Sequence, residues 1–149
     1  MSIITIVGAG VMGSAMCWPA RDNGHEVRLV GTHLDREIID AAQKTGEHIK
    51  LKRRLPDGVR CHQIEDLETA LEGAELVIGG VSSFGAKWFE NTVLPKIPDG
   101  VPVLSVTKGL EEQPDGTLLP FPTAMAGRLP EGRRLSLNAI GGPCLCYEL

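Results

Sequence analysis

In the stretch "IITIVGAGVMGSAM", residues 3–16, Gly8, Gly10 and Gly13 follow a run of apolar and β-branched residues at the spacing G-x-G-x-x-G. Each glycine has a separate physical task at that spacing. Gly8 lets the chain turn sharply off a strand, Gly10 has no side chain to hold a pyrophosphate away from the backbone, and Gly13 lets the following helix pack close to the sheet. A phosphate at such a turn meets the free N–H groups and the positive dipole end of that helix. The stretch from Gly8 to Gly13, with Ala9, Val11 and Met12 between the glycines, is therefore a candidate dinucleotide contact. The plainer reading is a glycine-rich turn that binds nothing.

Three further stretches have residue types and positions that suit chemistry. The fingerprint ordinarily places an acid at the end of the second strand to hold the adenosine ribose. Here "VGTHLDR" puts Val30 and Gly31 at that point, and the first carboxylate, Asp35, arrives later with Arg36 beside it. Thr32, His33 and Arg36 would accommodate a ribose phosphate, so NAD and NADP both stay open as the cofactor. In "GGVSSFG", Ser82 and Ser83 follow an apolar run and would face the cofactor's ribose or nicotinamide, although paired serines also serve as ordinary turn formers. Lys108, in "SVTKGLE", leaves the end of another apolar run. A compact cation there suits gripping a substrate oxygen or polarising a carbonyl before hydride arrives, against the plainer reading of a solvent lysine at a strand end.

The elements that must position these groups alternate along the chain. "SIITIV" reads as a strand buried on both faces, Ile3 to Val7, and residues 11–22 as a helix ending at Gly24. Pro19 inside that helix predicts a bend near Cys17. "EVRLVG" is a second strand, "REIIDAAQKT" a helix burying Ile38, Ile39 and Ala42, "LPDGV" a turn and "VRCHQI" a short strand. Asp66 is placed to cap the helix in "DLETALEGA". Then come "ELVIGGV" as a strand, "AKWFENTVLPKI" as a helix broken by Pro95, "VPVLSVT" as a strand, a helix over Leu118 to Ala126, and "RLSLNAIGG" as the last strand. Strands separated by helices throughout predict one α/β domain over residues 1–149, a doubly wound, mostly parallel Rossmann-type sheet with helices on both faces.

Composition narrows the function classes. The chain has 149 residues, 42% of them hydrophobic, and a net charge of −4. Its basic residues are dispersed apart from "KLKRR", Lys50 to Arg54, which reads as a solvated face, so a nucleic-acid partner is not expected. No apolar stretch approaches a membrane span and no signal peptide is legible, which predicts a cytoplasmic protein. The four cysteines match no zinc or C-x2-C spacing and the four histidines lack a ligand-set context, so no metal is expected.

Taken together, "GAGVMGSA", "NGHEVRL", "LPDGV", "GAELVIGGVSS", "SVTKGLE" and "GGPCLCYEL" resemble, in order and spacing, the NAD(P)-dependent glycerol-3-phosphate dehydrogenases over the whole chain. The resemblance implies that the loop from Gly8 to Gly13 holds the cofactor's pyrophosphate and that Val81, Ser82 and Ser83 stand where the family has V-P-[ST]. It implies Lys108 as the first-domain active-site lysine, with Lys108 and Gly142 at the substrate, a phosphorylated triose, and Cys146 at a position whose backbone meets the cofactor. Ser82 stands in place of the usual proline, Cys144 at a Ser, Thr or Asn position, and Cys146 in place of alanine. Family members continue into a helical domain that carries a second active-site lysine, so the resemblance implies an oxidoreductase whose substrate domain is absent from this chain. The apolar face thereby exposed would favour a homodimer. The alternatives are the cofactor domain of a ketopantoate reductase or 3-hydroxyacyl-CoA dehydrogenase, and a non-catalytic dinucleotide-binding module.

Overall fold

A computed structural model describes residues 1–142 and 146–148. The strands are β1 (Ile3–Val7), β2 (Glu26–Val30), β3 (Glu47–His48), β4 (Arg53–Arg54), β5 (Arg60–His62), β6 (Leu76–Gly79), β7 (Val103–Ser105), β8 (Leu110–Glu112), β9 (Leu118–Pro120) and β10 (Leu137–Ala139). The helices are α1 (Val11–Ala15), α2 (Cys17–Asp22), α3 (Arg36–Thr45), α4 (Leu67–Leu71), α5 (Ala86–Thr92) and α6 (Phe121–Ala126). Six strands form one sheet in the order β10-β7-β6-β1-β2-β5, and every pairing in it is parallel. The chain starts in the middle, winds out through β2 and β5, then returns to β6 on the other side of β1. That reversal opens a crevice at the carboxyl ends of β1 and β6, where ligands of such sheets bind.

Burial on both faces explains the unbroken apolar runs. Ile4, Ile6, Val27 and Leu29 pack with Cys17 and Ala20 of α2 and with Ile38, Ile39 and Ala42 of α3. Val7, Val30, Val77 and Val103 pack on the opposite side with Leu67 and Leu71 of α4, Phe89 of α5 and Met125 of α6. The one polar side chain within β1, Thr5, is fully buried and donates to the Ala70 carbonyl at 2.6 Å. Its hydroxyl is thereby satisfied inside an apolar layer.

The long first helix is two short ones broken at Met16, which places the bend where Pro19 requires it. Pro19 is the third residue of α2, where its missing N–H would have had no partner within that helix in any case. Gly24 closes α2 at φ 78°, as the left-handed terminus demands. Asp66 stands at the N-cap of α4 but its side chain makes no capping hydrogen bond.

Two elements differ from expectation. Leu118–Pro120 is a strand paired antiparallel with β8, so the last helix covers only Phe121–Ala126. The turn between them holds Gly116 N–H on the Gln113 carbonyl and Thr117 N–H on the Asp115 carboxylate, and Pro122 near the start of α6 favours helix initiation beyond it. "KLKRR" keeps its four basic residues exposed, as a solvated face would, but the segment also contributes an unexpected second hairpin, β3–β4, with Leu51 tucked inside and Arg53 over the Trp18 ring at 4.3 Å. The strand β7 is shorter than its apolar run, with Val101, Pro102, Val106 and Thr107 outside it, although the Pro102 carbonyl accepts from Val77 N–H and Val106 N–H donates to the Gly79 carbonyl, both at 3.0 Å.

Candidate functional site

The carboxyl end of β1 is a crossing of backbones. Gly8 continues the ladder by donating to the Val30 carbonyl at 2.8 Å, then turns with φ 113°, a conformation that side chains resist. A Cβ on Gly8 would lie 2.7 Å from the carbonyl carbon of Gly80, and one on Gly13 would lie 2.1 Å from the Gly8 carbonyl oxygen. Gly80 completes the crossing: a Cβ there would meet the Gly13 Cα at 2.7 Å. Gly80 was not singled out as a site residue, although the paired glycines of "VIGGV" carried the signal. Gly10 differs from all three, because a Cβ on it would meet nothing within 4 Å. A side chain at Gly10 would enter open space, so packing does not require glycine there.

Two clefts meet over Gly10. One, of ≈ 350 Å³, is lined by Gly8, Thr32, His33, Asp35, Lys50 and Trp88 among others, and lies toward the end of β2. The other, of ≈ 480 Å³, is lined by Val11, Met12, Ser83, Thr107, Lys108 and Cys146 among others, and lies toward β7. Gly80, Val81 and Ser82 border both. Two clefts that share this border suit an extended molecule with its waist on the glycine loop. Gly13 and Ala9 lie beneath that loop, buried, and Gly142 lines neither cleft. Cys144 falls outside the described residues.

At the β2 end the side chains are arranged in a way the sequence did not show. Asp35 is buried, and its Oδ2 accepts from Thr32 N–H at 2.9 Å, Thr32 Oγ1 at 2.7 Å and Ala9 N–H at 3.2 Å. The late acid thus ties the β2 terminus to the glycine loop. Arg36, one of the groups offered to a ribose phosphate, pairs instead with Glu65, which raises its own proton affinity and holds the Glu65 carboxyl below the usual range. Arg36 does not line the cleft, because the first turn of α3 carries it across to the segment after β5. Lys50, from the β3–β4 hairpin, lines the cleft with His33, whose ring lies 5.7 Å from that of Trp88.

At the other end Lys108 is exposed just beyond β7. Thr107 Oγ1 donates to the Val81 carbonyl at 2.6 Å, fastening the loop after β7 to the loop after β6 and setting where Lys108 leaves the sheet. Lys108 is the one cation among the described residues that line this cleft. Among the described residues no three His, Cys, Asp or Glu side chains gather as a metal set, and no helix is long and apolar enough to cross a membrane. Burial pushes the Cys61 thiol up to about 11 and the Cys17 thiol higher still.

An all-parallel sheet of this order, with a glycine crossing at its reversal point and an open Gly10 between two clefts, defines a dinucleotide-binding domain of the Rossmann class. The N-terminal region of the NAD-dependent glycerol-3-phosphate dehydrogenases matches residues 3–149, and the chain belongs to that family. It is 40% identical over 147 residues to the NADP(+)-dependent glycerol-3-phosphate dehydrogenase of Archaeoglobus fulgidus, an alignment covering 99% of this chain and 43% of that one. The crystal structure of glycerol-3-phosphate dehydrogenase from Coxiella burnetii superposes with a TM-score of 0.79 at 25% identity, over 99% of this chain and 42% of that one. A ketopantoate reductase from Ralstonia eutropha shares the fold at a TM-score of 0.63 and 20% identity, over 93% of this chain and 40% of its own. The chain therefore spans less than half the length of these relatives.

Proposed function

We propose that residues 1–149 bind NADP(H) and form the cofactor half of an enzyme that interconverts dihydroxyacetone phosphate and glycerol 3-phosphate. The observation that carries this reading is the pair of clefts joined over Gly10, with cations at opposite ends: Lys50 beside His33 at one, Lys108 at the other. The Gly10 cradle fits a pyrophosphate, Lys50 and His33 fit the 2′-phosphate of an adenosine ribose, and the second cleft fits the nicotinamide. Asp35 lines this cleft, but its Oδ2 is taken up by Thr32 and Ala9, which leaves the carboxylate a weaker acceptor for the hydroxyls of an unphosphorylated ribose. The naming of the Archaeoglobus relative as NADP(+)-dependent supports the same preference.

When bound, the nicotinamide supplies or accepts the hydride at C2 of the triose. The Lys108 ammonium orients the substrate and stabilises the charge that grows on the carbonyl oxygen as C2 is reduced. The proton that completes the alcohol comes from a group beyond residues 1–149, a helical second domain in the full-length enzyme. The exposed Leu110 and Leu118 of the β8–β9 hairpin support a covered face there, against a second copy of the chain in a homodimer.

The test is NADPH oxidation with dihydroxyacetone phosphate, measured for this chain and for one extended through the following reading frame. The extended protein should turn over and lose at least about 100-fold in kcat on Lys108→Ala, the scale of removing one transition-state charge contact. Ordinary turnover by residues 1–149 alone would overturn the two-domain reading, and unchanged turnover by the Lys108→Ala protein would remove the role of that lysine.

A further inference from the structure

His48 plays no part in the cofactor reading so far, yet it is fully buried and points at the glycine loop. Its Nδ1 accepts from Leu51 N–H at 3.0 Å, and its Nε2 lies 2.9 Å from the Ala9 carbonyl oxygen. A ring that accepts at Nδ1 carries its proton on Nε2, so Nε2–H donates to Ala9. Ala9 is held on its other side by Asp35, which accepts from its N–H at 3.2 Å. Both polar groups of one residue in the loop are thus bound by buried side chains from elsewhere in the chain.

The consequence follows from peptide geometry. The Ala9 carbonyl and the Gly10 N–H belong to one planar trans unit, so they point in opposite directions. Ala9 is fully buried and its carbonyl is directed inward to His48, while Gly10 borders both clefts. Holding the carbonyl inward therefore turns the Gly10 N–H outward. A flip of this peptide would present a carbonyl oxygen to the clefts where a donor is wanted. Glycine at position 10 makes such a flip easy, since its backbone has few conformational restraints of its own.

We propose that His48 is a positioning residue for the nicotinamide dinucleotide: it pins the Ala9–Gly10 peptide with the N–H facing the cofactor's pyrophosphate. The proposal rests on the glycine loop being the cofactor site. Asp35 acts with it by fixing the preceding peptide, and the β3–β4 hairpin brings the imidazole to this end of the sheet.

Two substitutions separate this role from simple packing. The amide of His48→Gln reaches as far as Nε2 and can still donate to Ala9, but leaves Leu51 N–H without its acceptor. The amide of His48→Asn reaches only as far as Nδ1, keeping the Leu51 bond and losing Ala9. NADPH affinity is measured by fluorescence titration of the wild-type chain and both variants, with thermal melts alongside. His48→Gln should bind within about threefold of wild type and His48→Asn at least about tenfold more weakly, even where its melting temperature is the higher of the two. The reverse order, or affinities that simply follow the melting temperatures, would overturn the proposal. Failure of the wild-type chain to bind NADPH would instead remove the cofactor reading on which it rests, and the proposal with it.

Discussion

Gly10→Val separates the requirements of the fold from those of the ligand. Gly10 sits at φ −68° and ψ 173°, an extended conformation that valine adopts readily, and its added Cβ meets nothing within 4 Å. The folding cost should therefore stay within about 0.5 kcal/mol, and restriction of the unfolded chain would offset part of it. Binding is another matter. The new methyl groups would occupy the junction of the two clefts and keep a pyrophosphate out of hydrogen-bonding range of the loop. Charge-assisted hydrogen bonds contribute about 1.5–3 kcal/mol each. Losing two costs about 3–6 kcal/mol, which at 1.4 kcal/mol per tenfold is a loss of about 100-fold or more in affinity. NADPH fluorescence titration reads the affinity, and far-UV circular dichroism with a thermal melt reads the fold. Gly13→Ala is the contrasting control, because its Cβ would stand 2.1 Å from the Gly8 carbonyl oxygen and should lower the melting temperature directly. Binding by Gly10→Val within threefold of wild type would refute the placement of the pyrophosphate on this loop.

Two other outcomes are expected. Lys50→Ala should weaken NADPH binding about tenfold, leave NADH binding unchanged and reduce the salt dependence of the NADPH affinity; equal losses for both cofactors would take the 2′-phosphate away from Lys50. The Glu90 carboxyl is held below the usual range, chiefly by the hydrogen bond from Arg128 and then by Lys87. A depressed carboxyl stabilises the fold above its unfolded pKa, about 4.3, and that contribution is lost as the pH falls through its lower folded value. Arg128→Leu, which frees both Glu90 and Glu111, should thus be about 1 kcal/mol less stable than wild type at pH 7, with the gap narrowing as the pH falls into the acid range. Urea midpoints at pH 7 and in the acid range check this, and a gap independent of pH would exclude the ion pair as its source.

What the amino-acid sequence determined by itself is local. The strand-and-helix alternation, the bend before Pro19, the left-handed Gly24 and the division of labour among Gly8, Gly10 and Gly13 depend on torsional limits and on apolar period, which a short window of residues carries. The cofactor class followed from that loop, and the family from motifs spread along the chain. The tertiary structure decided which groups meet. Asp35 reads as a displaced ribose acid, yet it bonds Ala9 from 26 positions away, and His48 reads as a loop histidine, yet it reaches Ala9 across 39 positions. Arg36 was turned from the cleft by Glu65, while Lys50, part of a run that reads as solvated, was brought to it by a hairpin. The glycine of position 80 belongs with the fingerprint only because β6 lies next to β1 in a sheet whose order reverses there. A side chain's reach is a few ångströms, and the partner within that reach is set by how the strands are ordered and where the loops between them return, quantities that no local pattern contains.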